Sequence, residues 1–173
     1  MNILITGRPG SGKTTLLNKI KESLEFSGHN VGGVFCPEIR TNGRRVGFSI
    51  IDIANKREGV LSHINCSGPN VGKYRVNLND LNEIGVSAIR YAIEEADYIF
   101  IDEIAPMELY SEEFINAVKN AFDGEKPVLA VIHKKSNHPF ILEINNRDDV
   151  LIFEISPENR DLIYNKVLGI LKK

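Results

Sequence analysis

Cysteine, net charge and long apolar runs are all scarce in this chain of 173 residues, and each scarcity excludes a class of protein. The two cysteines, Cys36 and Cys66, stand in no C-x-x-C or Cys/His ligand spacing. A disulfide framework and a thiolate metal site are therefore not expected, and both residues read as plain thiols of a reducing compartment. The formal charge is −2, too small for a general nucleic-acid coat or a polybasic membrane binder. No stretch approaches the ~18 consecutive apolar residues of a membrane span. The chain also lacks internal repeats, low-complexity tracts, a Ser-His-Asp set, an aromatic stripe for bases and a guanine-specifying N/T-K-x-D motif.

What remains is ordinary globular composition, 42% hydrophobic and 25% charged. The length suits a single domain, residues 1–173, large enough to bury its own core. Met1-Asn2-Ile3-Leu4-Ile5-Thr6 reads as a buried strand running straight into a glycine-rich turn, with no room for a leader peptide, so a cytoplasmic protein is expected. Leu16, Leu17, Ile20 and Leu24 then recur at the spacing of a one-faced helix, stopped by Ser27-Gly28.

Residues 31–78 differ in character. They hold seven of the 14 glycines and carry a net charge of +4. Val31–Phe35 reads as a strand, and Thr41-Asn42-Gly43 as a turn between two antiparallel strands. This stretch is expected to be a basic β insertion, because it is too short to bury a core of its own. From Asn79, read as a helix cap, the alternation resumes: a helix to Glu95, a strand at Tyr98–Ile101, a helix capped by Ser111, a strand at Val128–Ile132, a short helix at Pro139–Asn145 and a strand at Val150–Ile155. A last helix is expected to open at Pro157-Glu158-Asn159 with Ser156 as its cap. Strands alternating with helices imply a mostly parallel sheet covered on both faces.

The chemistry-bearing motif is Gly7-Arg8-Pro9-Gly10-Ser11-Gly12-Lys13-Thr14, a full G-x-x-x-x-G-K-[ST] lying between a strand and a helix, with Thr15 following. Glycines let successive backbone N–H groups turn inward, and the helix start adds its positive end, which together make a nest for phosphate oxygens. Lys13 is expected to reach the β/γ-phosphates and Thr14 to hold Mg²⁺. Phosphate chemistry also calls for an apolar strand that ends in a metal-facing carboxylate, and Tyr98-Ile99-Phe100-Ile101-Asp102 supplies it. Glu103, one position beyond, is the candidate that orients or deprotonates a water. An adjacent Asp-Glu pair favours the RecA-like branch of P-loop proteins over that of nucleotide kinases and GTPases.

Together with the P-loop, Pro37-Glu38-Ile39-Arg40, Gly43-Arg44-Arg45-Val46-Gly47-Phe48, Val71-Gly72-Lys73-Tyr74-Arg75-Val76, Asp102-Glu103-Ile104 with Met107-Glu108-Leu109, Lys126-Pro127-Val128-Leu129-Ala130-Val131 and Pro157-Glu158-Asn159-Arg160 resemble the thermophile-type nucleoside-triphosphatase family, small P-loop proteins with a human member described as cancer-related. The resemblance spans nearly the whole chain. It implies a three-layer α/β P-loop NTPase, with a RecA-like, mostly parallel sheet extended by inserted antiparallel hairpins. It also implies Mg²⁺-dependent hydrolysis of ATP, GTP and other nucleoside triphosphates with broad base tolerance. Ala105-Pro106 departs from the family's usual Gly-Lys at that point.

Arg40 is a secondary candidate as a γ-phosphate or interface arginine, with a structural ion pair as the competing reading. His133, at the end of the Val128–Ile132 strand, is a candidate γ-phosphate sensor, with a partly exposed histidine of no catalytic role as the competing reading. Arg147 and Arg160 read as surface charge rather than lid or tail contacts. The expected partners are nucleoside triphosphates, with no membrane, no required nucleic acid, and a monomeric state. Two other functions compete. One is a small-molecule kinase using Glu38 to activate an acceptor hydroxyl. The other is a nucleotide-gated module whose basic insertion grips RNA or protein.

Overall fold

The computed structural model describes residues 1–133 and 135–173. In chain order the elements are β1 (Asn2–Thr6), α1 (Lys13–Phe26), β2 (Val31–Phe35), β3 (Glu38–Thr41), β4 (Arg44–Asp52), β5 (Glu58–His63), β6 (Asn70–Val71), β7 (Tyr74–Val76), α2 (Leu78–Asp80), α3 (Ser87–Glu95), β8 (Tyr98–Ile104), α4 (Glu112–Asp123), β9 (Val128–Ile132), α5 (Pro139–Asn145), β10 (Val150–Glu154) and α6 (Arg160–Leu171). One sheet carries every strand, in the order β10-β1-β9-β8-β2-β4-β5-β7-β6, with β3 paired to β4. The first five are mutually parallel. From β2 onward the pairing is antiparallel, so the basic stretch widens the parallel sheet instead of standing apart from it.

The three layers follow from strand periodicity. In β1, Leu4 faces a cluster with Ile99, Ile101, Ala88, Phe114 and Val118, against α3 and α4. Its neighbours Ile3 and Ile5 face the opposite cluster, with Leu16, Leu17, Ile20 and Leu24 of α1 and Val167 and Leu171 of α6. The four apolar residues of α1 are all buried, each contributing roughly 1.5–3 kcal/mol. This burial holds the helix start, and the loop before it, rigidly over the carboxyl end of β1.

The RecA-like expectation holds. Strand β9 lies between β1, which carries the phosphate-loop motif, and β8, which carries Asp102. The Asn42-Gly43 turn is also as read: φ is 51° and 76° at its two residues, the left-handed pair that a two-residue hairpin with the right-handed twist of its strands requires.

Two helix starts differ from the sequence reading. The helical run after β7 is capped by Asn77, not Asn79; the Asn77 side chain accepts the Asp80 N–H at 3.1 Å. It continues as a π-helical turn over Leu81–Val86 before α3. The last helix begins at Arg160 rather than at Pro157. Asn159 accepts the Ser156 N–H at 2.8 Å and donates to the Glu154 carbonyl at 3.0 Å. These local bonds hold the loop out of the helix, a competition asparagine side chains often win at helix ends.

Candidate active site

All five parallel strands end at one edge of the sheet, the edge where open α/β sheets bind ligands. There the loop between β1 and α1 turns on Gly12, whose φ of 93° is left-handed. The Gly12 carbonyl accepts the Leu16 N–H at 2.9 Å, and the Arg8 carbonyl accepts the Ser11 N–H at 3.1 Å. Ser11 is buried, and its hydroxyl, like that of Thr6, has no hydrogen-bond partner among the described residues. A buried hydroxyl without a partner costs roughly 1–3 kcal/mol, so the loop holds a polar group that a bound oxyanion would satisfy. Arg8, Pro9 and Gly10 form its exposed rim, and Thr15 is exposed on the first turn of α1.

Lys13 Nζ donates to the Gly7 carbonyl at 2.8 Å, which holds the ammonium across the mouth of the loop. Thr14 Oγ1 donates to Asp102 Oδ2 at 2.7 Å, so the helix start and the end of β8 meet across the intervening β9. The β8–β9 register shifts between Asp102 and Ile104, leaving Glu103 as the extra residue. Such bulges re-aim side chains beside functional sites, and here two successive carboxylates stand at one strand end.

Burial governs the electrostatics. Desolvation pushes Asp102 up to about 6, opposed by the Thr14 hydrogen bond and Lys13 and reinforced by Glu103. It raises Glu103 too, with the Lys13 charge pulling the other way. Behind them lies Glu108, only 2% exposed and raised well above the usual carboxylate range by burial and then by the Glu103 charge. Its Oε2 accepts the Ala105 N–H at 3.2 Å. Cys36 is raised by burial and by these carboxylates, Glu108 first, and so stays a neutral thiol. It is free, as is Cys66.

The remaining candidates divide. His133 is exposed immediately beyond β9, its N–H donating to the Ile104 carbonyl at 3.2 Å; it emerges between the loop strand and the Asp102 strand. Arg40 takes the competing reading: its guanidinium is bound to Glu38 at 2.8 Å and to the Gly43 carbonyl at 3.0 Å, tying off the hairpin it belongs to. Arg147 pairs with Asp149 and Asp123 at 2.8 and 2.6 Å and covers the Phe122 ring, a structural clasp. Arg160 requires a correction. It lies against the loop itself: a Cβ built on Gly12 would collide with the Arg160 guanidinium.

Sequence reasoning missed Glu108 and Arg160 as neighbours of the site. Both lie in motifs that carried the resemblance, and Arg160 bears a further signal. A cation in the first helical turn opposes the helix dipole, so it needs some other reason to be there.

A phosphate nest at a strand-to-helix turn, a lysine across it, and a threonine meeting a strand-end aspartate define a P-loop nucleotide-binding protein. Residues 2–168 match the NTPase family. The chain is 49% identical over 173 residues to the nucleoside-triphosphatase THEP1 of Thermotoga sp. (strain RQ2), covering 99% of this chain and 96% of that protein. It is 42% identical over 171 residues to the protein of the same name from Methanothermobacter thermautotrophicus, with the same coverage. The crystal structure of THEP1 from the hyperthermophile Aquifex aeolicus superposes with a TM-score of 0.87 at 34% identity, over 100% of both chains. The solution structure of a human cancer-related nucleoside triphosphatase gives 0.83 at 32% identity, over 98% of this chain and 96% of that one. The chain belongs to the NTPase family, whose enzyme class is nucleoside-triphosphatase. Among the described residues no helix is long and apolar enough to cross a membrane.

Proposed function

We propose that the protein hydrolyses nucleoside triphosphates, ATP and GTP among them, at the β–γ phosphoanhydride, with Glu103 positioning the attacking water. The observation that carries this reading is the meeting of Lys13, Thr14, Asp102 and Glu103 at the mouth of one phosphate nest. The backbone of residues 7–14, Thr15 and the Ser11 hydroxyl take the phosphate oxygens. Lys13 balances charge on the transferring group. Burial gives Glu103 the raised basicity that a general base needs near neutral pH.

Thr14 and Asp102 offer only hard oxygen donors, already in contact, which suits Mg²⁺; that ion ordinarily takes one or two protein oxygens and fills its other positions with water and phosphate. When bound, Mg²⁺ supplies charge neutralisation at the phosphates. Burial raises Asp102 to about 6 even with Lys13 nearby, and a bound divalent cation would favour its ionised form further.

The rival kinase reading loses its base. Burial works against the Glu38 charge, but hydrogen bonds from Arg45 and Arg40 hold that exposed carboxylate below its ordinary range. A group so firmly ionised and paired is a poor acceptor of a substrate proton. The same hydrolase reading has the chain work as a cytoplasmic monomer with no nucleic-acid requirement.

The test is phosphate release from each common NTP, with Mg²⁺ and without an acceptor. ATP and GTP should turn over within about tenfold of each other, or about 1.4 kcal/mol, and Lys13→Ala should abolish release and most nucleotide affinity. Release only when an acceptor is added would favour a kinase. Wild-type release by Lys13→Ala would put the site elsewhere.

A further inference from the structure

Resting on the nucleotide reading of the loop, we infer that Arg160 is the residue on which the nucleobase lies, gripped by its flat face in a hollow between α1 and α6, so that the base is held without being identified. Sheet order sets the direction. Lys13, Asp102 and Glu103 mark the γ-phosphate end, and Asp102 and Glu103 lie on the β9–β8 side of β1. A nucleotide held in the loop therefore extends its nucleoside to the other side of β1, over β10 and the loop that leads into α6.

A hollow is present there. Leu16 and Lys19 of α1 form one wall; Pro157, Arg160 and Tyr164 form the other, with Asp161 beside them. A second hollow, reaching back to Arg8 and Ser11 of the loop, meets the first at Pro157. Arg160, in the wall of the first hollow, lies against Gly12 of the loop. It is half-buried, and no hydrogen bond or ion pair engages it among the described residues. Its position in the first turn of α6 is unfavourable to the helix dipole, a local cost that a role at the site explains.

The chemistry matches base-tolerant binding. A guanidinium is planar and weakly hydrated, and it stacks on aromatic faces. Every base has such a face, so stacking is indifferent to base identity. Of the groups able to read base edges here, Lys19, Asp161 and Thr15 are exposed side chains, and the half-buried Tyr164 offers a hydroxyl that both donates and accepts; together they present no fixed donor–acceptor pattern.

The experiment compares the wild type with Arg160→Ala and Arg160→Lys, using steady-state phosphate release from ATP, GTP, CTP and UTP. Calorimetry with inorganic tripolyphosphate, which has no nucleoside, completes it. Arg160→Ala should raise KM by about 5- to 150-fold, the range of one lost stacking contact, and in parallel for all four nucleotides. Its kcat should move much less, and tripolyphosphate affinity should stay within about twofold of wild type, inside the scatter of a contact not made. Arg160→Lys keeps the charge but loses the plane, so it should recover little. Four results would overturn the inference: unchanged KM, a loss confined to one base, equal loss of tripolyphosphate binding, or full rescue by lysine. The nucleotide reading fails separately, if the wild type binds tripolyphosphate no better than Lys13→Ala.

Discussion

Thr14 and Asp102, 88 residues apart in the chain, are joined by a 2.7 Å hydrogen bond from the hydroxyl to the carboxylate. Asp102 is 7% exposed, and the Thr14 bond is the first of the influences that keep its proton affinity from rising further. One contact thus ties the phosphate loop to β8 and holds together the pair of oxygens proposed for Mg²⁺.

Thr14→Ala should therefore have two effects. Leaving a buried carboxylate without its donor should cost about 1–3 kcal/mol, or about 2–4 °C in Tm per kcal/mol for a chain of this length. Turnover should fall by at least about 10², the scale on which single site groups act. Thr14→Ser restores a hydroxyl and should recover both. Calorimetric melting and phosphate release on the three proteins decide it; a serine variant as impaired as the alanine one would mean that the threonine methyl, not the hydroxyl, matters.

Much of this arrangement was legible in the sequence, for reasons that are local. Gly7–Thr14 specifies its own backbone through glycines and a helix start. The Asn42-Gly43 turn follows from the left-handed preference of those residues. The buried runs of β1, β8 and β9 are recognisable because strands covered on both faces must be apolar throughout. The places that resisted are settled by long-range contact. Asn77 and Asn79 are equally good caps in isolation, and what distinguishes the start of that helix is tertiary: Asp80, beside them, accepts the Val60 N–H at 2.9 Å. Glu108 is a charged residue opening the short 3-10 turn Glu108–Tyr110 between β8 and α4, and nothing local says that it is buried there beside Glu103. Arg160 carries only the weak signal of a cation in a first helical turn until α6 is packed beside α1.

Glu103→Gln separates binding from chemistry. The substitution preserves size and hydrogen bonding while removing charge and basicity. Phosphate gripping belongs to the loop and Lys13, so nucleotide affinity should hold or improve while turnover falls by about 10²–10⁴, the usual range for a positioned base. Measured together, kcat and Kd discriminate the roles. Loss of affinity along with turnover would make Glu103 a structural carboxylate, whereas unaltered turnover would move the water-positioning role to His133, exposed at the neighbouring strand end.

Glu108 should reveal itself through stability against pH. Its folded pKa lies well above the ordinary value, chiefly through burial and then through the Glu103 charge; the N–H of Ala105 only partly offsets this. In the unfolded chain the carboxyl titrates near 4.3. Below that pH both states hold the proton and Glu108 makes its full contribution. As pH rises, the unfolded state releases the proton first, and the unfolded form gains ground until the folded carboxyl also ionises. Glu108→Gln removes this linkage, and its amide oxygen can still accept the Ala105 N–H. The variant's Tm advantage over wild type should therefore be smallest near pH 4 and widen steadily above pH 5. Asp102 and Glu103, also raised by burial, remain in both proteins and largely cancel in the difference. Thermal melts of the two proteins across pH 4–9 test this, and a Tm gap that stays constant would show that Glu108 ionises in the fold as readily as it does in water.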